Sequence, residues 1–347
     1  MILKQDGSVW SCGLNSNGQL GIPSIRYASE IFELTTISSD AVSMAGGLGH
    51  SLVLKQDGSV WTTGTQLGFS ENPSTNGESW SFVFLRVING AKTVTAGCGH
   101  SMVLAQHGSV WAVGWNWFGQ LGDGTYTDKA KFVPVIGSGA KAVTAGHFHS
   151  VVLKVDGSVW TTGLDSFGAL GNGPKNVARR NYFVLVMSDC KAVAAGAYHS
   201  MVIKQDGTVW TTGWNKFGQL GDGTTTDSNV YREVSSNARA IAAGSRHSIV
   251  LKQDGSVWTT LFNVYGQFGD FSGPERGVFI PVIATGAEAV AAGGYHSMVL
   301  KQDGTVWAGG SNIYGQIGSG KAYKDSIRRF VRIAVNGDGP FADPAIA

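Results

Sequence analysis

The pattern D-G-S/T-V-W returns with its tryptophan at Trp10, Trp61, Trp111, Trp160, Trp210, Trp258 and Trp307. Successive tryptophans are 51, 50, 49, 50, 48 and 49 residues apart, and a fixed period of that size belongs to solenoids, propellers and arrays. Seven such copies fill the 347 residues. A length prior alone would favour two domains; the repeat leaves room for one, over residues 1–347. One copy departs in the turn, where His107 replaces the aspartate.

Each unit reads as four short strands. His296 to Lys301 (HSMVLK) is an apolar run that meets a V-W-containing segment across a Q-D-G turn, a strong hairpin signal. A β-rich stretch follows, such as Lys131 to Ile136 or Tyr182 to Met187, and then small residues, as in Ala194-Ala195-Gly196. Four antiparallel strands repeated seven times predict an all-β, seven-bladed β-propeller, whose blades bury both faces against their neighbours. Alanine and glycine suit the innermost strand, where blades converge. Composition agrees: glycine is 50 of 347 residues, and the charged share of 14% is well below the usual quarter. A linear solenoid would need polar caps on its terminal repeats, and none is evident.

The chain begins inside a repeat, because Met1-Ile2-Leu3-Lys4 corresponds to the MVLK that elsewhere follows His-Ser. The first blade therefore lacks its inner strand, and the segment around Pro344 to Ala347 is expected to supply one and close the ring. Met1 as an internal residue of a longer protein is the other reading, and both stay open. The amino terminus carries neither a basic leader nor an apolar stretch, and no apolar run approaches 18 residues, so neither a signal peptide nor membrane insertion is expected.

The combination G-x-x-H-S, D-G-S/T-V-W and G-x-N-x-x-G-Q-L-G, as in GAYHS, DGTVW and GWNKFGQLG, resembles the regulator of chromosome condensation repeat family. The resemblance covers nearly the whole chain and implies a seven-bladed propeller. It says less about function, since the family includes a nucleotide-exchange factor for a small GTPase, ubiquitin-ligase modules, a plant ultraviolet photoreceptor and bacterial enzyme inhibitors. The photoreceptor places tryptophans in the G-x-x-H positions, and no unit here does. Two departures stand out: the second copy keeps only Gln66-Leu67-Gly68 of the asparagine motif, and Leu261 replaces a glycine.

Chemistry finds little to work with. His50, His100, His149, His199, His247 and His296 share one repeat position; a scaffold needs one hydrogen bond many times, whereas a catalytic site needs different groups once. His147 and His149 form an H-x-H that a strand would place on one face, but no third zinc ligand is near in sequence. No glycine loop has the phosphate-binding G-x-x-x-x-G-K-S/T form, and the glycines read as turn residues of positive φ. Asp123 with Asp128, and Asp222 with Asp227, lack the ligand density of a calcium loop. Cys98 lies beside a scaffold histidine, and three scattered cysteines make no disulfide framework. Neither an enzyme nor a cofactor is expected.

The formal charge of +2 supplies no global field for nucleic acid, which is not expected as a partner. The basic groups Lys175, Arg179, Arg180 and Lys321, Lys324, Arg328, Arg329, Arg332 read as protection of outer-strand edges. Positions that vary between units at fixed geometry are where a binding surface can be written. They include the two residues inside G-x-x-H-S and the residue after the asparagine: Ser16, Trp117, Ser166, Lys216, Val264 and Ile313. Strand direction puts both sets on one face and the D-G turns on the other. A non-enzymatic interaction scaffold follows, monomeric by itself, binding a protein partner through Trp117, Phe148, Tyr198, Lys216, Arg246 and Tyr295. The alternative is nucleotide exchange on a small GTPase, against which stands the even spacing, with no insertion to build a displacing wedge.

Overall fold

The computed structural model describes residues 1–37, 39–65, 80–173, 178–261, 276–320 and 327–333. Its 27 strands form seven antiparallel sheets. Blade 1 holds β1 (Ile2–Leu3), β2 (Val9–Leu14) and β3 (Ala28–Leu34). Each later blade has four strands in chain order, innermost first. Blade 4, typical of them, is β12 (Ala140–Ala145), β13 (His149–Lys154), β14 (Val159–Leu164) and β15 (Arg179–Met187). Among the described residues blade 1 has no inner strand; Pro344 to Ala347, expected to provide it, lie outside them.

The ring closes nonetheless. Buried apolar side chains fall into seven clusters, one at each junction between neighbouring blades. The seventh junction joins the chain's two ends: Ile2, Cys12 and Phe32 of blade 1 pack on Met298, Leu300, Ile317 and Ile333 of blade 7. A bridge between Ile31 and Ser319 ties the outer parts of the same two blades. A solenoid has no such seventh junction.

Why this sequence makes these strands is visible in blade 4. In β13, His149 to Leu153 are all buried, because the sheet is covered on both faces. The turn after it, Val155 to Ser158, has Gly157 at φ 81°, a conformation that side chains with a Cβ resist. Asp156 Oδ1 accepts from the backbone N–H of Ser158 at 2.9 Å and from its hydroxyl at 2.6 Å. Trp160 Nε1 then donates to Ser158 Oγ at 2.9 Å, and Lys154 Nζ sits 4.2 Å from the indole centroid. The recurring D-G-S/T-V-W is therefore one hairpin clamp. Blade 3, with Ala105 and His107 in the lysine and aspartate places, keeps only the indole bond, lengthened to 3.3 Å.

Several polar residues buried between blades bond across them. Thr162 Oγ1 donates to Gly119 O of blade 3 at 2.9 Å and lies 3.0 Å from Arg180 O of its own outer strand. The repeated histidines form a belt of the same kind. Nε2 of His50, His100, His149, His199 and His247 lies 2.8 to 3.0 Å from the serine hydroxyl one blade on: Ser101, Ser150, Ser200, Ser248 and Ser297. Ser150, Ser200 and Ser248 donate their own protons to backbone carbonyls at 2.7 Å, so the imidazoles facing them donate Nε2–H. Burial pulls His100, His149, His199 and His247 down to a pKa of about 3 and His50 to about 4. The histidines are neutral mortar, as their recurrence predicts.

Candidate partner-binding face

Where they are described, the loops joining the first and second strands of a blade, and the third and fourth, emerge at the same end of the ring, opposite the D-G turns. The first kind is a tight turn: Gly146 N donates to His149 O at 2.9 Å and leaves His147 and Phe148 displayed between them. Its glycine is required by space rather than by positive φ. A Cβ there would stand 2.2 Å from the His149 ring and 2.5 Å from Gly196 O of the next blade.

The second kind is wired by its asparagine. Asn116 Oδ1 accepts from Leu121 N at 3.0 Å, while Nδ2 donates to Asp123 Oδ1 at 3.0 Å and Thr125 O at 3.0 Å. Asp128 Oδ1 accepts from Asn116 N at 2.7 Å, and Lys129 pairs with Asp123 at 3.1 Å. Blade 5 repeats the plan with Asn215, Asp222 and Asp227. These aspartates are consumed inside their loops. The two loops of one blade also bond to each other, through Trp115 N to Gly99 O at 2.7 Å and Trp214 N to Tyr198 O at 2.9 Å.

The consequence is a continuous aromatic band from blade 3 to blade 7. Trp117, 68% exposed, stacks on Trp115 with 6.5 Å between centroids. Phe118 meets Phe148 at 5.0 Å, and Phe148 meets Tyr198 at 6.0 Å. Around Tyr198 gather His147 at 5.4 Å, Phe167 at 5.4 Å and Trp214 at 5.7 Å. Trp214 leads to Phe217 at 5.2 Å. The Arg246 guanidinium then lies 4.5 Å from the Phe217 centroid and 5.5 Å from that of Tyr295. Burial raises the Tyr198 hydroxyl pKa and lowers that of His147, so both are neutral near pH 7.

Of the residues expected from sequence, Phe148, Tyr198, Arg246 and Tyr295 fall in this one network, and Trp117 stacks on Trp115 in the loop that also carries Phe118. Lys216 stands exposed in the same loop as Phe217. Sequence reasoning missed Trp115, Trp214, Phe118, Phe167 and Phe217, which precede the asparagine or follow it by two places. Comparing units at those two places, and not only directly after the asparagine, would have found them. Val264 lies outside the described residues, as do Gln66 to Gly68, the side chain of Leu261, Lys175, Lys321, Lys324 and the side chains of Arg328 and Arg329.

Several other expectations change. His147 is in the loop before β13 and belongs to the aromatic band, so it does not share a strand face with His149. Arg180 is 9% exposed and turned onto Tyr182, its NH1 3.2 Å from the phenol oxygen, not a free edge charge. Arg179 reaches blade 3, donating to Trp117 O at 2.6 Å beside the Tyr126 ring. Burial raises the Cys98 thiol pKa and pushes that of Cys190 up to about 11, and all three cysteines are free. Among the described residues no three histidine, cysteine or carboxylate side chains cluster as metal ligands.

The chain matches the RCC1-like domain over residues 65–337 and the regulator of chromosome condensation (RCC1) repeat over residues 6–54. A 71-residue stretch is 39% identical to the secretion-regulating guanine nucleotide exchange factor of Bos taurus, spanning 20% of this chain and only 15% of that protein. The fold is similar to that of human WBSCR16, with a TM-score of 0.85 over 95% of this chain and 96% of that one at 20% identity. It is also similar to yeast RCC1 (Prp20), solved bound to Kap60, with a TM-score of 0.82 over 97% of this chain and 86% of that one at 19% identity. Carried by its own repeats and by this match over most of its length, the chain belongs to the family of RCC1-like domain propellers.

Proposed function

We propose that the protein is a non-enzymatic interaction module that holds a protein partner against the aromatic face. The observation that carries this reading is the band itself. Phe148, Tyr198, Trp214, Phe217, Arg246 and Tyr295 come from blades 4 to 7 and meet in one partly exposed network. Aromatic residues and arginine are the types that anchor protein interfaces. The opposite face, by contrast, repeats one clamp of lysine, tryptophan and aspartate, and offers little to distinguish partners.

A second reading, nucleotide exchange on a small GTPase, is favoured by the 39% identity to a guanine nucleotide exchange factor. One pair of measurements separates the two. Partners captured on the wild-type protein are mapped by cross-linking and their affinities measured against Tyr198→Ala, Arg246→Ala and Tyr295→Ala. Each anchor lost is expected to weaken binding by about 1 to 3 kcal/mol, with Lys204→Ala on the other face as the control. Catalytic acceleration of nucleotide release from a panel of small GTPases would establish the second reading; binding sensitive only to the D-G face would overturn the first.

A further inference from the structure

We propose that the D-G end of the central axis is a binding site for a compact polyanion, a small molecule carrying several phosphates, and that Lys92, Lys141, Lys191 and Arg239 form it. These four occupy one register position on successive inner strands: β8 (Ala91–Ala96), β12, β16 (Cys190–Ala195) and β20 (Ala238–Ala243). Each inner strand opens with a buried small residue and then breaks register with its partner strand, between Ala91 and Thr93, Ala140 and Ala142, Cys190 and Ala192, and Ala238 and Ala240. The residue in each break is the cation. A bulge turns its extra residue out of the ladder, and Lys92, Lys141 and Arg239 are exposed.

The four are neighbours around the axis, since successive inner strands pack directly on one another. Arg239 shows how close they are: its guanidinium donates to the backbone carbonyl of Glu288, which holds the same register position on blade 7. The fold does not demand cations there, because blade 2 carries Val42 and blade 7 carries Glu288. None of the four is in an ion pair: the one ion pair among the described residues is that of Lys129 with Asp123, and Lys191 Nζ donates to the Gln205 carbonyl at 3.4 Å, with Asp206 of the adjoining turn within its electrostatic reach. In blades 3 to 6 the bulges and the crossings that lead into them carry these four cations and one carboxylate, Asp189.

Shape decides which anion fits. Farther from the axis, between the second and third strands, stand the aspartates of the D-G turns, Asp156, Asp206 and Asp254 in this arc. An extended polyanion laid across the face meets those carboxylates. A compact one on the axis meets the cations. This site lies opposite the aromatic band and does not depend on its function.

The test is titration calorimetry on the full chain with inositol hexakisphosphate and inorganic triphosphate. Wild type is expected to bind both, more weakly as salt rises. Lys141→Ala with Arg239→Ala should weaken binding at least tenfold. Glu288→Gln should strengthen it several-fold, a gain that no folding defect can mimic, while Lys204→Ala, whose ammonium rests on Trp210, should change it less than twofold. No binding of either probe, indifference to the double substitution or to Glu288→Gln, or tighter binding of a single-stranded oligonucleotide than of either probe would overturn the proposal.

Discussion

Replacing Gly146 by alanine should be among the most damaging single-methyl additions in the molecule, although its backbone conformation tolerates any residue. The new Cβ would lie 2.2 Å from His149 Cε1, 2.5 Å from its Nδ1 and 2.5 Å from Gly196 O. Ordinary contacts are more than 1 Å longer, so the ring or the neighbouring blade must move. Moving the ring breaks the 3.0 Å bond of Nε2 to Ser200 Oγ and strands a buried donor, at about 1 to 3 kcal/mol. Displacing the backbone of blade 5 adds about 1 kcal/mol or more of packing loss. Against this stands about 0.4 to 1 kcal/mol from restricting the unfolded chain. The net expectation is a loss of about 2 kcal/mol.

Gly139 provides the contrast, because it has φ +79° and nothing within 4 Å of its would-be Cβ. Alanine there meets only the left-handed backbone penalty, about 1 kcal/mol, most of it offset by the same unfolded-state term. Urea unfolding followed by far-UV circular dichroism reads both, as a shift in midpoint at unchanged slope. A Gly146→Ala midpoint no lower than that of Gly139→Ala would refute the claim that space under the imidazole, rather than backbone conformation, keeps glycine in the G-x-x-H motif.

Acid should unfold the ring early. The five belt histidines refuse protons down to a pKa of about 3 to 4, while in the unfolded chain they accept them at about 6.5, so stability falls as pH drops between those values. At pH 5 the deficit is about 2 kcal/mol each, on the order of 10 kcal/mol together, comparable with a whole domain's stability; an unchanged urea midpoint at pH 4.5 would refute it. Asp165 replaces the loop asparagine of blades 3 and 5, and burial raises its pKa to about 6, so its penalty grows as pH rises from about 4 to above 6. Asp165→Asn should therefore stabilise by up to about 1 kcal/mol at pH 7.5, discounted for partial exposure; no gain at that pH would argue against a charge effect. Trp214→Ala should weaken partner binding at least as much as Tyr198→Ala, because it touches Phe167, Tyr198 and Phe217 together; unaltered affinity by calorimetry would remove it from the face.

What the sequence showed plainly was whatever repeats. The tryptophan period gave blade count, strand order and the face on which the variable loops emerge, because each follows from a pattern copied at fixed spacing. The partner of each belt histidine was not legible, since the serine that receives it sits 49 to 51 residues on, in another blade. The same distance hid the aromatic band: Phe148 and Tyr198 are 50 positions apart and meet only when the sheets stack. Arg180 read as an edge charge because outer strands are usually wet, yet it is buried and turned onto Tyr182 of its own strand. The inner-strand cations carry no sequence signal that marks them out; the register breaks show them turned out of the ladder.

Stability and recognition are physically separated in this ring. The belt, the inter-blade threonines and the seven apolar junctions lie below the loops, and their partners are backbone atoms or side chains common to most blades. The displayed residues sit one step above, between a glycine and a histidine whose bond, Gly146 N to His149 O in blade 4 and Gly196 N to His199 O in blade 5, is made entirely by backbone. Exchanging Phe148 or Tyr198 therefore leaves the turn bond and the histidine belt in place, and changes at the face should add to changes in the belt without coupling, as expected for sites with no shared partners. That independence explains how one repeat can carry His147-Phe148 in blade 4, Ala197-Tyr198 in blade 5 and Ser245-Arg246 in blade 6 without altering the blade beneath. It also locates the cost of such freedom. Phe148 meets Phe118 and Tyr198 of the blades on either side, and Arg246 is held over Phe217 of one blade and Tyr295 of another, so within the face recognition spans junctions, and substitutions there are where binding and inter-blade ring packing should be found to interact.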